Sequence, residues 1–524
     1  MNHNLLCGSL GSESSLTSSK KTEVMRVVEL FAGVGGFRLG LEGLPGSSEK
    51  GRFNVVWANQ WEPACGRQHA AEIYTSRWGL ERDDEDPEVF SNGPEDVLVN
   101  KDVATIPASE VPEHDLLCGG FPCQDYSVAR TRSGEKGIKG EKGKLWAHIK
   151  RIIQDSAVRP KMVFLENVPR LLNSPARQRG LNFMVILNDL LKMGYDVEWR
   201  VINASEYGMP QQRRRIFFIA YRRPTKSTFY RNGPGVHGPK IRTRGPMTKW
   251  MTGKEMLGAN PEWLAGPFAT AFPIDGELGS SKRELPDLLE YPWSERSSPF
   301  MNAGYAWQDN QKVAKRWLWT FKASPVYEGG RRTLGDVIEE IYDPDYEVED
   351  ADKLRMYSYV KGVQKEWRIR KKDESRARVI DAGGDGDLWE LYQKCTKGYR
   401  TDYWADSRSN PGYLKGLQQG LIYEYTAGAM AYPDSLDKPS RTVVTAEIGK
   451  SVSRMRHVIE YERGKYRRLM PLELERLNEF PDDWTELKGI SDSRRGFLMG
   501  NALVVGVITR LRNPLREIIL SGSR

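Results

Sequence analysis

Short apolar runs alternate with amphipathic stretches over the first part of the chain, up to Arg223. Apolar runs short enough to be buried strands lie at Arg26–Phe31, 53–58, Asp115–Cys118, Met162–Glu166, Val197–Asn203 and Arg215–Tyr221. Apolar residues at helical spacing predict helices near 37–44, 144–156 and 181–193. Strands that alternate with helices in this way predict an α/β fold with a parallel, doubly wound sheet.

The pattern changes after Arg223. Residues 224–437 contain scattered Gly and Pro and many Trp and Tyr without a clear period, so we predict a second lobe inserted into the first. Helical patterns return at Arg467–Phe480 and Asn501–Leu511, and the last of these would pack back on the first lobe. The predicted organisation is a loose tail at 1–24, a first lobe at 25–223, the insertion at 224–437 and a C-terminal part at 438–524.

Composition excludes several classes of protein. The chain has 524 residues, 28% of them charged, and no apolar run approaches the roughly 20 residues that a membrane helix needs. The N-terminal residues are rich in Ser, Gly and Lys and lack the apolar core of a signal peptide. Five cysteines at irregular spacing, without a CxxC pair, argue against a disulfide framework or a zinc site. We therefore expect a soluble, cytoplasmic protein with reduced thiols, no metal and no membrane contact.

The charge distribution suggests a polyanionic partner. The net charge of +8 at pH 7 fits such a partner, but many proteins that bind no nucleic acid are as basic. The segment from Arg213 to Lys249 is more informative, because it is dense in Arg and Lys and has few apolar residues after the predicted strand. This favours a surface that follows a phosphate backbone, with a solvated face as the alternative.

One cysteine lies where α/β folds bind their ligands. The sequence GGFPCQDYSV, residues 119–128, follows the apolar run Asp115–Cys118 at what would be the carboxyl end of a strand. Cys123, directly behind Pro122, would face a ligand above the sheet. A buried structural thiol is the alternative, because free cysteines are among the most buried residues.

A glycine-rich turn ends the first predicted strand. The sequence FAGVGG begins at Phe31 and places Gly33, Gly35 and Gly36 where a strand would turn into a helix. A dinucleotide site would show G-x-G-x-x-G, whereas the spacing here is G-x-G-G. Glycines at such a turn allow the backbone to approach a ligand closely.

Six blocks, taken in chain order, resemble those of the DNA (cytosine-5)-methyltransferase family. They are ELFAGVGG at 29–36, PCQ at 122–124, ENV at 166–168, QQRRR at 211–215, RTV at 441–443 and GNA at 500–502. The resemblance covers roughly 25–223 and 437–510, and the PCQ and ENV blocks are specific to the family. It implies a Rossmann-like domain that depends on S-adenosylmethionine, with a smaller, mixed target-recognition lobe at 224–437. It also implies double-stranded DNA as substrate and a bacterial, nucleoid-associated enzyme, either stand-alone or paired with a restriction endonuclease.

The resemblance also implies where the cofactor binds. The turn that starts at Phe31 would hold the methionine part of S-adenosylmethionine, and Trp61 would stack on the adenine. Gln60 stands where the family has a glutamate, so the ribose contact falls to Gln60 or to Glu62. The remaining cofactor contacts of the family match Asp102 and Asn501. A structural turn is the alternative for Asp102.

The chemistry of cytosine explains why the family needs a cysteine. C5 is a weak nucleophile until a thiolate adds at C6, so Cys123 is the candidate nucleophile. Glu166, at the end of a short apolar strand, is the candidate acid that protonates N3, and a helix cap is its alternative role. Arg215 would hold the cytosine O2, whereas Arg213 would contact a DNA phosphate. Other substrate contacts are expected from Pro122, Gln124, Ser127, Asn167 and Gln211.

Three further expectations concern the contact with DNA. The period of two along a strand would place Arg213 and Arg215 on one face and Arg214 on the other. Residues 126–143 hold glycines interleaved with Lys and Arg, which favours a lid that closes over a flipped nucleotide, with a plain linker as the alternative. Base flipping is expected because C6 cannot be reached while the base is stacked.

Other functions fit only parts of the sequence. An amino-methyltransferase would carry an Asp/Asn-Pro-Pro-Tyr/Phe block, and DPDY at 343–346 departs from it, so we interpret it as a loop. An RNA (tRNA) cytosine-5 methyltransferase could share all six blocks, but the long insertion favours reading a DNA groove. A catalytically silent DNA-binding relative is disfavoured because every catalytic position is filled. A nicotinamide dehydrogenase is disfavoured by the missing third glycine. We expect methyl transfer to C5 of cytosine within a specific double-stranded sequence, which the chain itself does not identify.

Overall fold

The computed structural model describes residues 24–47, 52–63, 66–121, 144–176, 178–223, 266–275, 281–285, 293–308, 315–361, 365–369, 422–426 and 429–522. Within them the helices are α1 Gly36–Glu42, α2 His69–Trp78, α3 Lys144–Asp155, α4 Leu181–Lys192, α5 Pro267–Ala271, α6 Asp350–Lys361, α7 Pro471–Leu477, α8 Asp492–Asn501 and α9 Val505–Gly522. Outside the described residues lie the basic loop 126–143, the whole basic segment 224–249, and Pro122, Cys123, Gln124 and Ser127.

The strands of the first lobe are β1 Met25–Leu30, β2 Phe53–Asn59, β3 Glu81–Arg82, β4 Val89–Ser91, β5 Val97–Val99, β6 Leu116–Gly120, β7 Met162–Asn167, β8 Tyr195–Asn203 and β9 Arg214–Arg222. The later strands are β10 Ile274–Asp275, β11 Ser281–Glu284, β12 Ala303–Gln308, β13 Arg316–Phe321, β14 Ser324–Pro325, β15 Lys365–Ile369, β16 Ile422–Thr426, β17 Val458–Glu462 and β18 Lys465–Arg468. The strands that the sequence predicted begin and end within two residues of these bounds.

One large sheet organises the molecule. Twelve strands lie in the order β11-β13-β12-β8-β9-β7-β6-β1-β2-β5-β4-β3. The centre is parallel, since β1 pairs with β2 and with β6, and β6 pairs with β7. Parallel neighbours need a crossover connection, and α1 and α3 lie within two of these connections. The predicted α/β class, with a parallel and doubly wound centre, is confirmed.

The sheet is not parallel throughout. β9 lies between β7 and β8 and is antiparallel to both. The connection between β8 and β9 contains a single 3-10 turn at Ala204–Tyr207 and no crossover helix, so the chain returns beside the strand it has just left. Because of this reversal, the start of β9 at Arg214 lies at the same edge of the sheet as the end of β7, where Glu166 is found.

The sheet also continues across the predicted lobe boundary at 223. β12 pairs with β8, β13 pairs with β12, and β11 pairs with β13. Trp307, Trp319 and Phe321 of this extension are buried in the same core as the central strands. β11, β12 and β13 therefore extend the sheet of the first lobe, because these aromatic strands need its apolar surface.

Helices cover both faces of the sheet. α3 and α4 pack on one face with Ile149, Ile153, Phe183 and Leu187. α1, α2 and α9 pack on the other, where a Cβ on Gly40 of α1 would lie 2.5 Å from Ile508 of α9. The C-terminal helix α9 thus packs against α1 of the first lobe.

Two predicted helices differ from those in the structure. The pattern at Arg467–Phe480 contains the strand β18 and then α7, which begins at Pro471 because proline suits the first helical turn. The pattern at Asn501–Leu511 spans a break, since α8 ends at Asn501 and α9 begins at Val505. Both errors arose where apolar spacing continued across an end of a helix.

The central strand β1 carries a buried carboxyl group. Glu29 of β1 is fully buried, and its Oε2 accepts a hydrogen bond from Tyr74 Oη at 3.3 Å. Burial raises the pKa of Glu29 to about 8, although Arg38 and Tyr74 both oppose this shift. Arg38 compensates Glu29 only in part, because it is paired with Glu42 at 3.1 Å and with Asp96 at 2.7 Å.

We expect Glu29→Gln to stabilise the fold increasingly as the pH rises. The carboxyl has a pKa of 4.5 in the unfolded chain and about 8 in the folded chain. Between these values the folded form loses up to about 1.4 kcal/mol of stability per pH unit, and glutamine removes this loss. Denaturant unfolding of both proteins at about pH 5.5 and pH 7.5 measures the effect. A stability difference that stays the same at both pH values would contradict the expectation.

Candidate active site

The glycine-rich turn between β1 and α1 is held in an unusual backbone conformation. Phe31, Gly33 and Gly35 have φ values of 55°, 58° and 86°, in the left-handed region. The backbone N–H of Gly33 donates to Gln60 Oε1 at 2.7 Å, which ties the turn to the end of β2. The shape of the turn is therefore fixed by the protein itself.

The glycines of this turn serve two different purposes. A Cβ on Gly35 would lie 2.2 Å from the ring of Trp78, and a Cβ on Gly36 would lie 3.2 Å from Leu503, so both are needed for packing. A Cβ on Gly33 would meet no atom within 4 Å, and this glycine borders open space. Gly33 is thus the point of the turn where a ligand can approach the backbone, which fits the amino-acid part of S-adenosylmethionine.

Three candidate cofactor residues follow β2. Trp61 is 38% exposed at the end of the strand, so its ring is accessible to a ligand. Glu62 is occupied, because its carboxylate accepts a hydrogen bond from Ala70 N at 2.9 Å and pairs with Arg494. Gln60 uses its carbonyl oxygen on the glycine turn, and no partner of its amide NH₂ is found within the described ranges. Gln60, and not Glu62, can therefore offer a free hydrogen-bonding group.

The last two candidate cofactor residues are both exposed. Asp102 Oδ1 accepts a hydrogen bond from Ala104 N at 2.9 Å, which is the structural turn that the sequence left as an alternative. Asn59 Nδ2 donates to Lys101 O at 2.8 Å and holds this segment against the end of β2. Asn501 is the last residue of α8. Their contacts with the cofactor stay predictions.

An ion pair lies at the carboxyl end of the central strand β7. Arg215 Nε lies 2.9 Å from Glu166 Oε1, and the two side chains are 17% and 14% exposed. Burial raises the pKa of Glu166, while the charges of Arg215 and Arg213 oppose the shift. A raised pKa suits a carboxyl that must carry a proton near neutral pH. The alternative of a helix cap is not observed, because no side chain caps the 3-10 turn Pro169–Asn173 that follows.

β6 brings the chain directly to this acid. Gly120 pairs with Glu166 in the parallel ladder, and a Cβ on Gly120 would lie 2.9 Å from Glu166 Oε2. Asn167 Nδ2 donates to Phe121 O at 3.1 Å, so the buried Asn167 positions the chain just before the PCQ block and does not face the substrate. Cys123 follows Gly120 by three residues in the sequence.

The structure corrects the expectations for Arg213 and Gln211. Arg213 is only 2% exposed, and its guanidinium donates to Val443 O at 3.0 Å and to Gly500 O at 2.9 Å. Gln211 is fully buried; its amide donates to Asn478 Oδ1 at 2.9 Å and accepts from Val443 N at 3.0 Å. Burial and internal hydrogen bonds occupy both side chains, which leaves neither a phosphate contact for Arg213 nor a substrate contact for Gln211.

One residue that shapes the glycine-rich turn left no signal in the sequence. Trp484 Nε1 donates to Val34 O at 2.9 Å, and its ring packs edge-on against Trp78 at 5.2 Å between centroids. The two partners are 450 residues apart, and local spacing carries no information about such a pair. Trp484 is therefore a positioning residue supplied by the C-terminal part.

The expectations about metals, membrane helices and cysteines can be compared with the structure only within the described ranges. No cluster of His, Cys, Asp or Glu that could hold a metal ion is found in them. Their helices include none long and apolar enough to cross a membrane. Cys118 is a free, buried thiol, whereas the other four cysteines lie outside the part of the chain that is described.

Comparison with known proteins assigns the chain to a class. The family described as C-5 cytosine-specific DNA methylase matches residues 25–517. The Type II methyltransferase M.Sau3AI of Staphylococcus aureus is 36% identical over 503 residues, which cover 94% of this chain and 96% of that protein. The chain belongs to the C-5 cytosine-specific DNA methylase family and is a methyltransferase.

A second curated relative matches a smaller part of the chain, and a solved structure aligns over most of it. The Type II methyltransferase M.HhaI of Haemophilus parahaemolyticus is 32% identical over 203 residues, 39% of this chain and 51% of that protein. A solved structure of the Entamoeba histolytica methyltransferase EhMeth aligns with a TM-score of 0.48 and 13% identity, covering 94% of this chain and 98% of that one. The similarity to M.Sau3AI therefore extends over far more of the chain than the similarity to M.HhaI.

Proposed function

We propose that this protein transfers a methyl group from S-adenosylmethionine to C5 of cytosine within a specific double-stranded DNA sequence. The observation that carries the proposal is the partly buried pair of Glu166 and Arg215, beside the end of β6, where Gly120 pairs with Glu166 and precedes the PCQ block in the sequence. Family membership and the names of Type II relatives support DNA as the substrate. The same names support a bacterial enzyme that is functionally paired with a restriction endonuclease, and such an enzyme would act at the nucleoid, where the DNA lies.

The residues around the glycine turn fit S-adenosylmethionine. When bound, this cofactor supplies an electrophilic methyl group on a sulfonium. Gly33 would allow its amino-acid part to approach the backbone, Trp61 would stack on the adenine, and the free NH₂ of Gln60 would donate to the ribose. The remaining contacts would come from Phe31, Asp102 and Asn501.

Cys123 is the nucleophile of the proposed reaction. Its thiol loses a proton, the resulting thiolate forms an Sγ–C6 bond, and the electrons of the C5–C6 double bond become available at C5. After C5 is methylated, loss of the C5 proton restores the double bond and expels the thiolate. The target base must leave the helix for this attack, because C6 is otherwise stacked between neighbouring bases.

Glu166 and Arg215 control the charge on the ring. Addition at C6 places negative charge on N3 and O2, and Glu166 donates its proton to N3 while Arg215 neutralises O2. The 2.9 Å contact between the two side chains orients the carboxyl before the base arrives. Pro122, Gln124 and Ser127 would line the pocket for the flipped base.

Mapping 5-methylcytosine in DNA from a host that expresses the chain tests this function. We expect methylated cytosines confined to one short recurring sequence. Purified protein incubated with S-adenosylmethionine and host DNA should methylate the same sites. Unmodified DNA in both experiments would refute the proposal, and methylation of tRNA alone would assign the chain to RNA.

A further inference from the structure

Burial alternates along the segment that leads into β9. Gln211 and Arg213 are buried, Gln212 and Arg214 are exposed, and Arg215 is partly buried beside the acid. The inward side chains are held by the C-terminal part of the chain, so the alternation has a structural cause. The three consecutive arginines therefore occupy three different environments.

Arg214 has the environment expected of a group that binds an anion from solvent. It is the first residue of β9, one position from Arg215, at the sheet edge that carries Glu166. Its carbonyl accepts a hydrogen bond from Arg215 Nη1 at 2.9 Å, which ties its backbone to the catalytic pair. Among the described residues, no carboxylate lies within ion-pair distance of Arg214, in contrast to Arg215.

We propose that Arg214, and not Arg213, contacts a backbone phosphate of the DNA strand that carries the target cytosine. This inference rests on the proposed function. A flipped nucleotide rotates about its own backbone, so its flanking phosphates stay close to the base that Arg215 holds. An exposed guanidinium one residue away is suited to those phosphates, which it can bind through two parallel hydrogen bonds.

Arg213 has a different task in this arrangement. Its guanidinium joins Val443, on the segment returning from the insertion, to Gly500, directly before Asn501 at the end of α8. The carbonyl groups at a helix C-terminus favour a nearby cation. Because Arg213 is buried there, its guanidinium is not accessible to DNA. Arg213 is a positioning residue that connects the cofactor side of the site with the acid.

The salt dependence of DNA binding distinguishes the two roles. Each phosphate that a side chain neutralises contributes about 0.9 to the slope of log K against log salt concentration. We expect Arg214→Met to reduce this slope by about that amount and to weaken binding equally for target and non-target duplexes. Arg214→Lys keeps the charge and should retain the slope.

Arg82 supplies a control, because it is an exposed arginine on β3, the strand at the far end of the sheet order from the insertion strands. Arg82→Met should leave the slope unchanged. An Arg214→Met slope equal to that of the wild type would overturn the inference while the proposed function stands. A wild-type protein that binds no duplex DNA would overturn both. Thermal melting of each variant confirms that it is folded.

Discussion

Replacement of Cys123 by alanine is expected to abolish methyl transfer, by on the order of 10⁴-fold or more, in a protein that still folds. Without the thiolate no bond forms at C6, and C5 keeps too little electron density to accept a methyl group. Binding residues elsewhere in the site cannot substitute for this covalent step. Turnover of radiolabelled methyl groups into duplex DNA measures the loss.

A matched cysteine provides the control for this variant. Cys118 lies in β6, five residues before Cys123 in the sequence, and is fully buried and paired in the ladder with Glu29, so Cys118→Ala should retain activity. A duplex that carries 5-fluorocytosine at the target, incubated with S-adenosylmethionine, should trap a stable conjugate with the wild type and none with Cys123→Ala, because the methylated adduct has no C5 proton to lose. Substantial turnover by Cys123→Ala would disprove the nucleophile assignment.

Glu166→Gln is expected to lower kcat by about 10²- to 10⁴-fold while DNA binding is preserved. Glutamine keeps the shape of the side chain and can still accept from Arg215, but it has no proton to give to N3. Single-turnover rates and duplex affinity, measured on the same preparation, separate the two effects. Wild-type rates in this variant would remove the acid role.

The pH dependence of the rate provides a second test of this acid. Burial raises the pKa of Glu166, so the carboxyl is the acid form below that raised value and loses its proton above it. The wild-type kcat should therefore fall as the pH rises through this pKa, and the Gln variant should lack that decline. An unchanged alkaline decline in Glu166→Gln would show that another group is responsible.

The central strands could be predicted because each is a local run of buried apolar residues. The partners of those strands could not, since pairing depends on distant segments and on the connections between them. β9 became antiparallel because residues 204–213 contain no crossover helix. β12 joined β8 although β12 lies within the predicted insertion, whose sequence has no clear period. Local spacing also missed the end of α8 at Asn501.

In the site, too, local motifs were predictive and contacts between distant segments were not. The neighbourhood of Glu166 and Arg215 was predicted from two motifs, and the structure brings the two side chains together. The motif did not reveal that Arg213 is buried, because the segment that covers it comes from the C-terminal part, around Val443 and Gly500. An arginine-rich motif therefore specifies charge, whereas the fold decides which charge faces the solvent.

The hydrogen bond from Trp484 to Val34 has a consequence for the order of events during synthesis. The first lobe leaves the ribosome long before Trp484 is synthesised. During that interval the glycine-rich turn lacks the hydrogen bond to Val34 O. Bringing together two segments so far apart in the chain also costs loop-closure entropy, which slows this step of folding. We therefore expect a nascent chain to have no methyltransferase activity until nearly all of it has been translated.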